Sequence, residues 1–300
     1  MNTNASAQPA ESEPTTFLDA FQAVVLSPIQ DEANVVERTS VEYGPQRAEA
    51  GTELFDVLTW RLLDNAQVAL DTPARMLWYC YHYMPCHFDA ISRLLLLDRQ
   101  TEPRLIFADD SDDSDEYLVL DFGCGPMTAG IALNEFYKAQ FGSPLRMNYV
   151  GFDTSRLAIN IASEFAARDG LFPETCAFAF RSSWDEVSLA ECVRSIKPTT
   201  RLLMIGSYLF GQDQLGSDDV NRLADFVRSV SEVATNAVFV YANAPQAERQ
   251  AKYQVFLERL SLENHLPPVE TYKYRAFRKL RRSNPMVRTG RFSYEVIKLK

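Results

Sequence analysis

From Tyr117 onward the 300-residue chain predicts an α/β fold, a doubly wound and mostly parallel sheet preceded by a helical segment. Three observations carry that reading. Short β-rich runs alternate with helical patterns from Tyr117 almost to the C-terminus. The first run, 117–122 (YLVLDF), is nearly all apolar, as a strand covered on both faces must be, and it ends at once in Gly123-Cys124-Gly125. Across 17–108, by contrast, apolar residues recur at helical spacing and no strand-like alternation intervenes.

In chain order, residues 1–16 are rich in Ser, Thr, Asn, Pro, Ala and Glu. With neither a basic start nor an apolar run, they read as a disordered tail and not as a signal peptide. Leu54, Val57, Leu58 and Leu62 mark one face of a helix over 53–63. A second helix is expected from Thr72-Pro73, and a third after Pro85 with Phe88, Ile91, Leu94 and Leu95 inward. The run 109–116, DDSDDSDE, cannot bury itself and reads as an exposed acidic loop ahead of the sheet domain, 117–300. It lacks the glycine and terminal glutamate of a calcium loop. Beyond the first strand come a helix over 127–139, a strand over 148–152 and a helix over 155–168. Leu157, Ile161 and Phe165 form the buried stripe of that helix, and Gly170 stands where its C-terminal cap belongs. Strands over 175–180, 202–206 and 236–241 follow, with helices over 218–233 and 245–262. The segments 270–278 and 291–299 form a closing antiparallel pair.

Composition narrows the class. Hydrophobic residues make up 46% and charged residues 23%, enough for a substantial core. No apolar run approaches eighteen residues, so no membrane span is expected. Five cysteines at irregular spacing argue against a secreted disulfide scaffold and for the reducing cytoplasm. The net charge of −10 is uneven: 271–300 holds ten Lys/Arg against the single acid Glu295, which is +9 and leaves −19 elsewhere.

In a doubly wound sheet, ligands bind beyond the carboxyl ends of the strands. The first strand ends in Asp121-Phe122-Gly123-Cys124-Gly125-Pro126-Met127, where glycines let the backbone turn and approach a ligand. The second ends in Gly151-Phe152-Asp153, a carboxylate able to accept hydrogen bonds from both hydroxyls of a ribose. Together, DFGCGP and the strand-terminal Asp resemble motifs I and II of class I S-adenosylmethionine-dependent methyltransferases, over about 117–300. The resemblance implies a seven-stranded sheet whose last hairpin inserts one antiparallel strand. It further implies that Asp121, Gly123, Cys124 and Gly125 lie along the methionine portion of S-adenosylmethionine and that Asp153 holds its ribose. Ser182, Ser183 and Trp184 would then lie near the adenine, while Gly206, Ser207 and Tyr208 border the methyl group and the acceptor. Met127 departs from the pattern, standing where the family often has a third glycine, and a bulkier residue there is expected to narrow the cofactor site. A nicotinamide-binding loop would need a glycine at Thr128, and a ligand-free tight turn would leave Asp153 unexplained.

Methyl transfer from a sulfonium needs alignment and exclusion of water more than a catalytic triad. If the acceptor must lose a proton, candidate bases are His82, His87, Asp185 and Tyr208. The segment 78–88, WYCYHYMPCHF, reads either as a substrate wall in a helical cap over the active-site mouth or as a packed helix–turn–helix. Cys80, His82, Cys86 and His87 lack the spacing of a zinc module, so no metal is expected. Arg275, Arg278, Lys279, Arg281, Arg282, Arg288 and Arg291 would suit an RNA or ribosomal target, or shield a sheet edge. The alternatives are a small planar metabolite as acceptor, and a binding or assembly protein that kept the fold without the reaction. The basic segment tilts the sequence reading towards RNA.

Overall fold

The computed structural model describes residues 15–29, 73–107, 116–212, 214–262, 267–276 and 286–299. The tail to residue 14, the helix expected over 53–63, the acidic run 109–115 and the basic stretch 277–285 lie outside the described residues.

Helix α1 (Phe17–Phe21) runs on through a π-helical turn (Gln22–Leu26), and α2 spans Pro73–Arg99. The sheet and its helices then follow: β1 (Glu116–Phe122), α3 (Thr128–Phe141), β2 (Met147–Phe152), α4 (Arg156–Ala166), β3 (Ala177–Arg181), α5 (Glu186–Ser195), β4 (Thr200–Ser207), α6 (Ser217–Val233), β5 (Asn236–Asn243), α7 (Ala247–Arg259), β6 (Val269–Ala276) and β7 (Met286–Lys298). One seven-stranded sheet results, in the order β3-β2-β1-β4-β5-β7-β6. The first five strands run parallel, and β7 inserts antiparallel between β5 and β6. This is the doubly wound, mostly parallel sheet expected, with its late hairpin supplying the antiparallel strand.

The two-residue period of β1 divides the core. Leu118, Leu120 and Phe122 face α5, α6 and α7, while Tyr117 and Val119 face the layer formed by α1 to α4. Asp121 continues the second set, so an ionisable group stands at the end of an otherwise apolar face.

Two expectations are corrected. Pro85 does not separate two helices; it lies inside the single helix α2. A proline in a helix interior costs about 3 kcal/mol. Here Met76, Cys80, Tyr81, Met84, Ala90, Ile91, Leu94 and Leu95 are all buried in one core cluster, and packing on both sides of the proline keeps the axis continuous. Gly170 is not the cap of α4, which ends at Ala166 with Ala167 in the capping position; Gly170 turns the chain afterwards at φ 75°. The sequence reading also missed α5. Its only buried residues are Ser188 and Cys192, and Val187 is 69% exposed, so no apolar stripe announces it.

Candidate functional site

The carboxyl ends of β1, β2 and β4 meet at one edge of the parallel sheet. Three residues of the loop after β1 take the left-handed conformation: Gly123 (φ 71°), Gly125 (φ 51°) and Met127 (φ 56°). The backbone N–H groups of Gly123 and Cys124 donate to the carbonyl of Phe152 at 2.7 and 3.0 Å, tying the loop to the end of β2. A Cβ at Gly123 would meet Leu209 at 3.0 Å, whereas one at Gly125 would find nothing within 4 Å. The loop is therefore closed at its first glycine and open at its second.

Asp153 spans this junction. Its Oδ2 accepts from the N–H of Gly125 at 2.9 Å, and its Oδ1 accepts from the N–H of Ser155 at 2.7 Å. One carboxylate thus clamps the glycine loop to the start of α4, and each oxygen keeps lone-pair capacity for a further donor. Burial raises its pKa, opposed by those two hydrogen bonds.

Asp121 is fully buried. The Tyr149 hydroxyl donates to its Oδ2 at 2.6 Å, since residues two apart in β2 present the same face as Asp121 in β1. Its Oδ1 meets no donor among the described residues. Burial pushes the carboxyl up to about 7; the Tyr149 hydrogen bond pulls it down and the neighbouring Asp153 charge adds to the rise. A buried acceptor left open costs about 1–3 kcal/mol, which a bound donor would recover.

Met127 packs its side chain away from solvent. Its side chain is wholly buried, with Cε beside Gly130 in the core beneath α3, so the departure from glycine is felt in the backbone. Cys124 is buried too, and its Sγ lies where a Cβ at Gly151 would be, 2.8 Å away.

The loop after β3 is less engaged. Ser182 and Ser183 are exposed, and the Ser183 hydroxyl donates to Asp185 Oδ2 at 2.9 Å. Asp185 caps α5, accepting from the Ser188 N–H at 2.9 Å, an exposed role that holds its carboxyl below the usual range and sets it apart from a buried base. Trp184 is half-buried and packs edge-on against Phe122, with ring centroids 6.0 Å apart. After β4, Gly206 is enclosed by Phe239 and Phe210, and Ser207 is half-buried.

Over β4 the chain turns at Tyr208, in the left-handed region at φ 58°, and its N–H donates to the Ala242 carbonyl at 2.7 Å. Its ring lies on the imidazole of His87, with centroids 3.7 Å apart and planes 14° from parallel. His87 belongs to a stripe on α2 with Tyr79 and Tyr83, at successive four-residue spacing on one helix face. Burial lowers the His87 pKa to about 3, so the imidazole is neutral at pH 7. Burial also raises the Tyr79 pKa above its ordinary value. The side chain of His82 lies outside the described residues. No group of three or more possible metal ligands occurs among the described residues.

Tyr79 and Tyr83 fall in the 78–88 segment read from the sequence as a possible substrate wall, whereas Tyr149 was not anticipated as a member of the site. The α2 stripe was readable from its spacing, but Tyr149 needed the β1–β2 register.

No protein-family model matches the chain, and no curated protein matches it in sequence. Solved structures align at low identity. A candidate class I S-adenosylmethionine-dependent methyltransferase from Listeria monocytogenes is 11% identical with a TM-score of 0.40, over 93% of this chain and 88% of that one. Magnesium protoporphyrin IX methyltransferase from Synechocystis, solved with bound S-adenosylhomocysteine, is 11% identical with a TM-score of 0.36, over 81% and 95%. Spermidine synthase from Thermotoga maritima is 15% identical with a TM-score of 0.35, over 73% and 60%. What ties this chain to the methyltransferase-like fold is its own strand order, with β7 inserted antiparallel between β5 and β6.

Proposed function

We propose that this chain is an S-adenosylmethionine-dependent methyltransferase whose reaction takes place beneath α2. The observation that carries this reading is buried Asp121 at the end of β1, whose Oδ1 meets no donor among the described residues, followed in the same loop by Gly125, where a Cβ would find nothing within 4 Å. An ammonium donor fits the first and a flat approach along the backbone fits the second, as the amino-acid end of S-adenosylmethionine requires. Asp153 then accepts from the ribose hydroxyls with its remaining lone pairs while still clamping the loop. Gly123, Cys124 and Gly125 form the floor, Trp184 with Ser182 and Ser183 borders the adenine, and Gly206 and Ser207 lie at the acceptor side.

When bound, the cofactor supplies an electrophilic methyl group on a sulfonium. The chain's own part is alignment and exclusion of water. Tyr79, Tyr83, His87 and Tyr208 provide a neutral, largely aromatic wall. Neutral His87 is the group assigned to accept a hydrogen bond from an acceptor, while burial holds the Tyr208 hydroxyl protonated.

That wall favours a small planar acceptor. A second reading, an RNA or ribosomal target, keeps one supporting feature: Lys273 and Arg291 are both exposed, on β6 and β7 of the terminal hairpin. A gel shift with bulk RNA separates the two, since only the RNA reading expects a salt-sensitive complex. All five cysteines are free thiols, in keeping with the reducing cytoplasm as the working compartment. No helix among the described residues is long and apolar enough to cross a membrane.

The experiment is native mass spectrometry of the freshly purified chain. Retained S-adenosylmethionine or S-adenosylhomocysteine supports the proposal. A chain that arrives empty and stays empty on adding millimolar cofactor would instead favour a binding or assembly protein with this fold.

A further inference from the structure

The Tyr149 side chain reaches Asp121 along its own strand. In the β1–β2 register Asp121 pairs with Gly151, and Tyr149 pairs with Val119 two positions earlier on the same face. Because Gly151 has no side chain, the ring can lie over it. A Cβ there would stand 3.1 Å from Tyr149 Cε1 and 2.8 Å from Cys124 Sγ.

The opposite edge of the ring meets α3. A Cβ at buried Gly130 would stand 2.6 Å from Tyr149 Cε2, well inside van der Waals contact. Alanine is ordinarily the better residue within a helix, so the ring accounts for a glycine at this position. Seated between two glycines, the ring carries its hydroxyl to 2.6 Å from Asp121 Oδ2, to which it donates. Both side chains are 1% exposed, which keeps the bond out of bulk water. The two oxygens of Asp121 thus differ: Oδ2 is engaged, and Oδ1 meets no donor among the described residues.

We infer that Tyr149 is a positioning residue for the cofactor's amino-acid end: seated over Gly130 and Gly151, it fixes the Asp121 carboxylate and leaves Oδ1 for the ammonium group. The side-chain geometry stands by itself; its consequence for S-adenosylmethionine rests on the proposed function.

The same bond bears on ionisation. A hydroxyl donor favours the charged carboxylate and opposes the burial that pushes Asp121 up to about 7. Without that donor the carboxyl stays protonated to higher pH, and a protonated carboxyl is a poor partner for an ammonium group. Asp153 and Cys124, from the loops after β2 and β1, also interact with this carboxyl. Burial keeps the Cys124 thiol and the Tyr149 hydroxyl protonated near pH 7.

The test titrates the full chain by NMR, isotopically labelled at the aspartate side-chain carboxyl carbon, with Asp121→Asn identifying the Asp121 signal. Tyr149→Phe keeps the ring and removes only the hydroxyl. Its Asp121 midpoint is expected above the wild-type value. At pH 7 it is expected to bind S-adenosylmethionine on the order of tenfold more weakly, with the gap narrowing as the pH rises. Gly130→Ala, which pushes the ring aside, is expected to act in the same direction. Tyr137→Phe, at a buried tyrosine of α3, is expected to change neither quantity. A tyrosine that merely filled the core would leave the Tyr149→Phe midpoint and affinity at wild-type values, and that result would overturn the inference. If the wild-type chain binds no S-adenosylmethionine, the proposed function and the cofactor role fall together, while a displaced carboxyl midpoint still assigns Tyr149 to Asp121.

Discussion

The carboxylate of Asp153 holds the backbone N–H of Gly125 at 2.9 Å, so the residue expected to grip a ribose also fixes the loop on which the rest of the cofactor would lie. Asp153→Ala should therefore lose the loop clamp, the cap on Ser155 and any ribose contact together. Charge-assisted hydrogen bonds contribute about 1.5–3 kcal/mol each. Affinity for S-adenosylmethionine is expected to fall by roughly 30-fold or more, as 1.4 kcal/mol is a factor of ten. Calorimetry measures the loss, with circular dichroism confirming that the sheet survives.

Asp121 makes stability depend on pH. Its folded pKa is raised to about 7 from the ordinary 3.8, so the unfolded chain gives up its proton first as the pH rises. The wild-type protein should lose stability relative to Asp121→Asn between about pH 4 and pH 7, by a few kcal/mol at most, and the difference should level off above that. Cofactor affinity should move the other way, rising as Asp121 ionises to meet an ammonium group. Denaturant melts and binding titrations across that range check both signs.

His87 gives the opposite slope. Its folded pKa of about 3 lies below the ordinary 6.5, so the stability linked to its neutral form is present above pH 6.5 and drains away as the pH falls towards 3. His87→Phe should flatten this acid-side loss while keeping a ring on Tyr208. Thermal melts at pH 7, 5 and 4 would show it.

Gly125 and Met127 separate crevice from core. Gly125→Ala meets no neighbour, so its stability cost is limited to left-handed strain of about 1 kcal/mol, while its methyl group enters the open side of the loop and reduces cofactor affinity. Met127→Gly relieves comparable strain but empties a wholly buried side chain, where truncation costs about 2–5 kcal/mol, so a net loss of stability is expected with affinity nearly unchanged. Paired melts and titrations of the two variants distinguish these effects.

Much of the sheet was legible because β1, β2, β4 and β5 are apolar runs followed by turns or helices, a pattern set by burial on both faces. The glycine loop and Asp153 were legible because their spacing is local. What the sequence hid depends on distant contacts. The continuity of α2 through Pro85 comes from packing against the core, which outweighs a local helix breaker. The Tyr149–Asp121 bond depends on strand register, which the sequence does not state. The tilt towards RNA came from a basic segment whose middle, 277–285, lies outside the described residues, whereas the aromatic wall on α2 lies within them.

The most direct measurement is calorimetric titration of S-adenosylmethionine into the intact chain, with Asp121→Asn alongside. Saturable one-to-one binding by the wild-type chain, weakened at least tenfold when the buried carboxylate is replaced, is the predicted result. No detectable heat at millimolar cofactor, or equal affinity in both proteins, would contradict the placing of the cofactor's amino-acid end at Asp121.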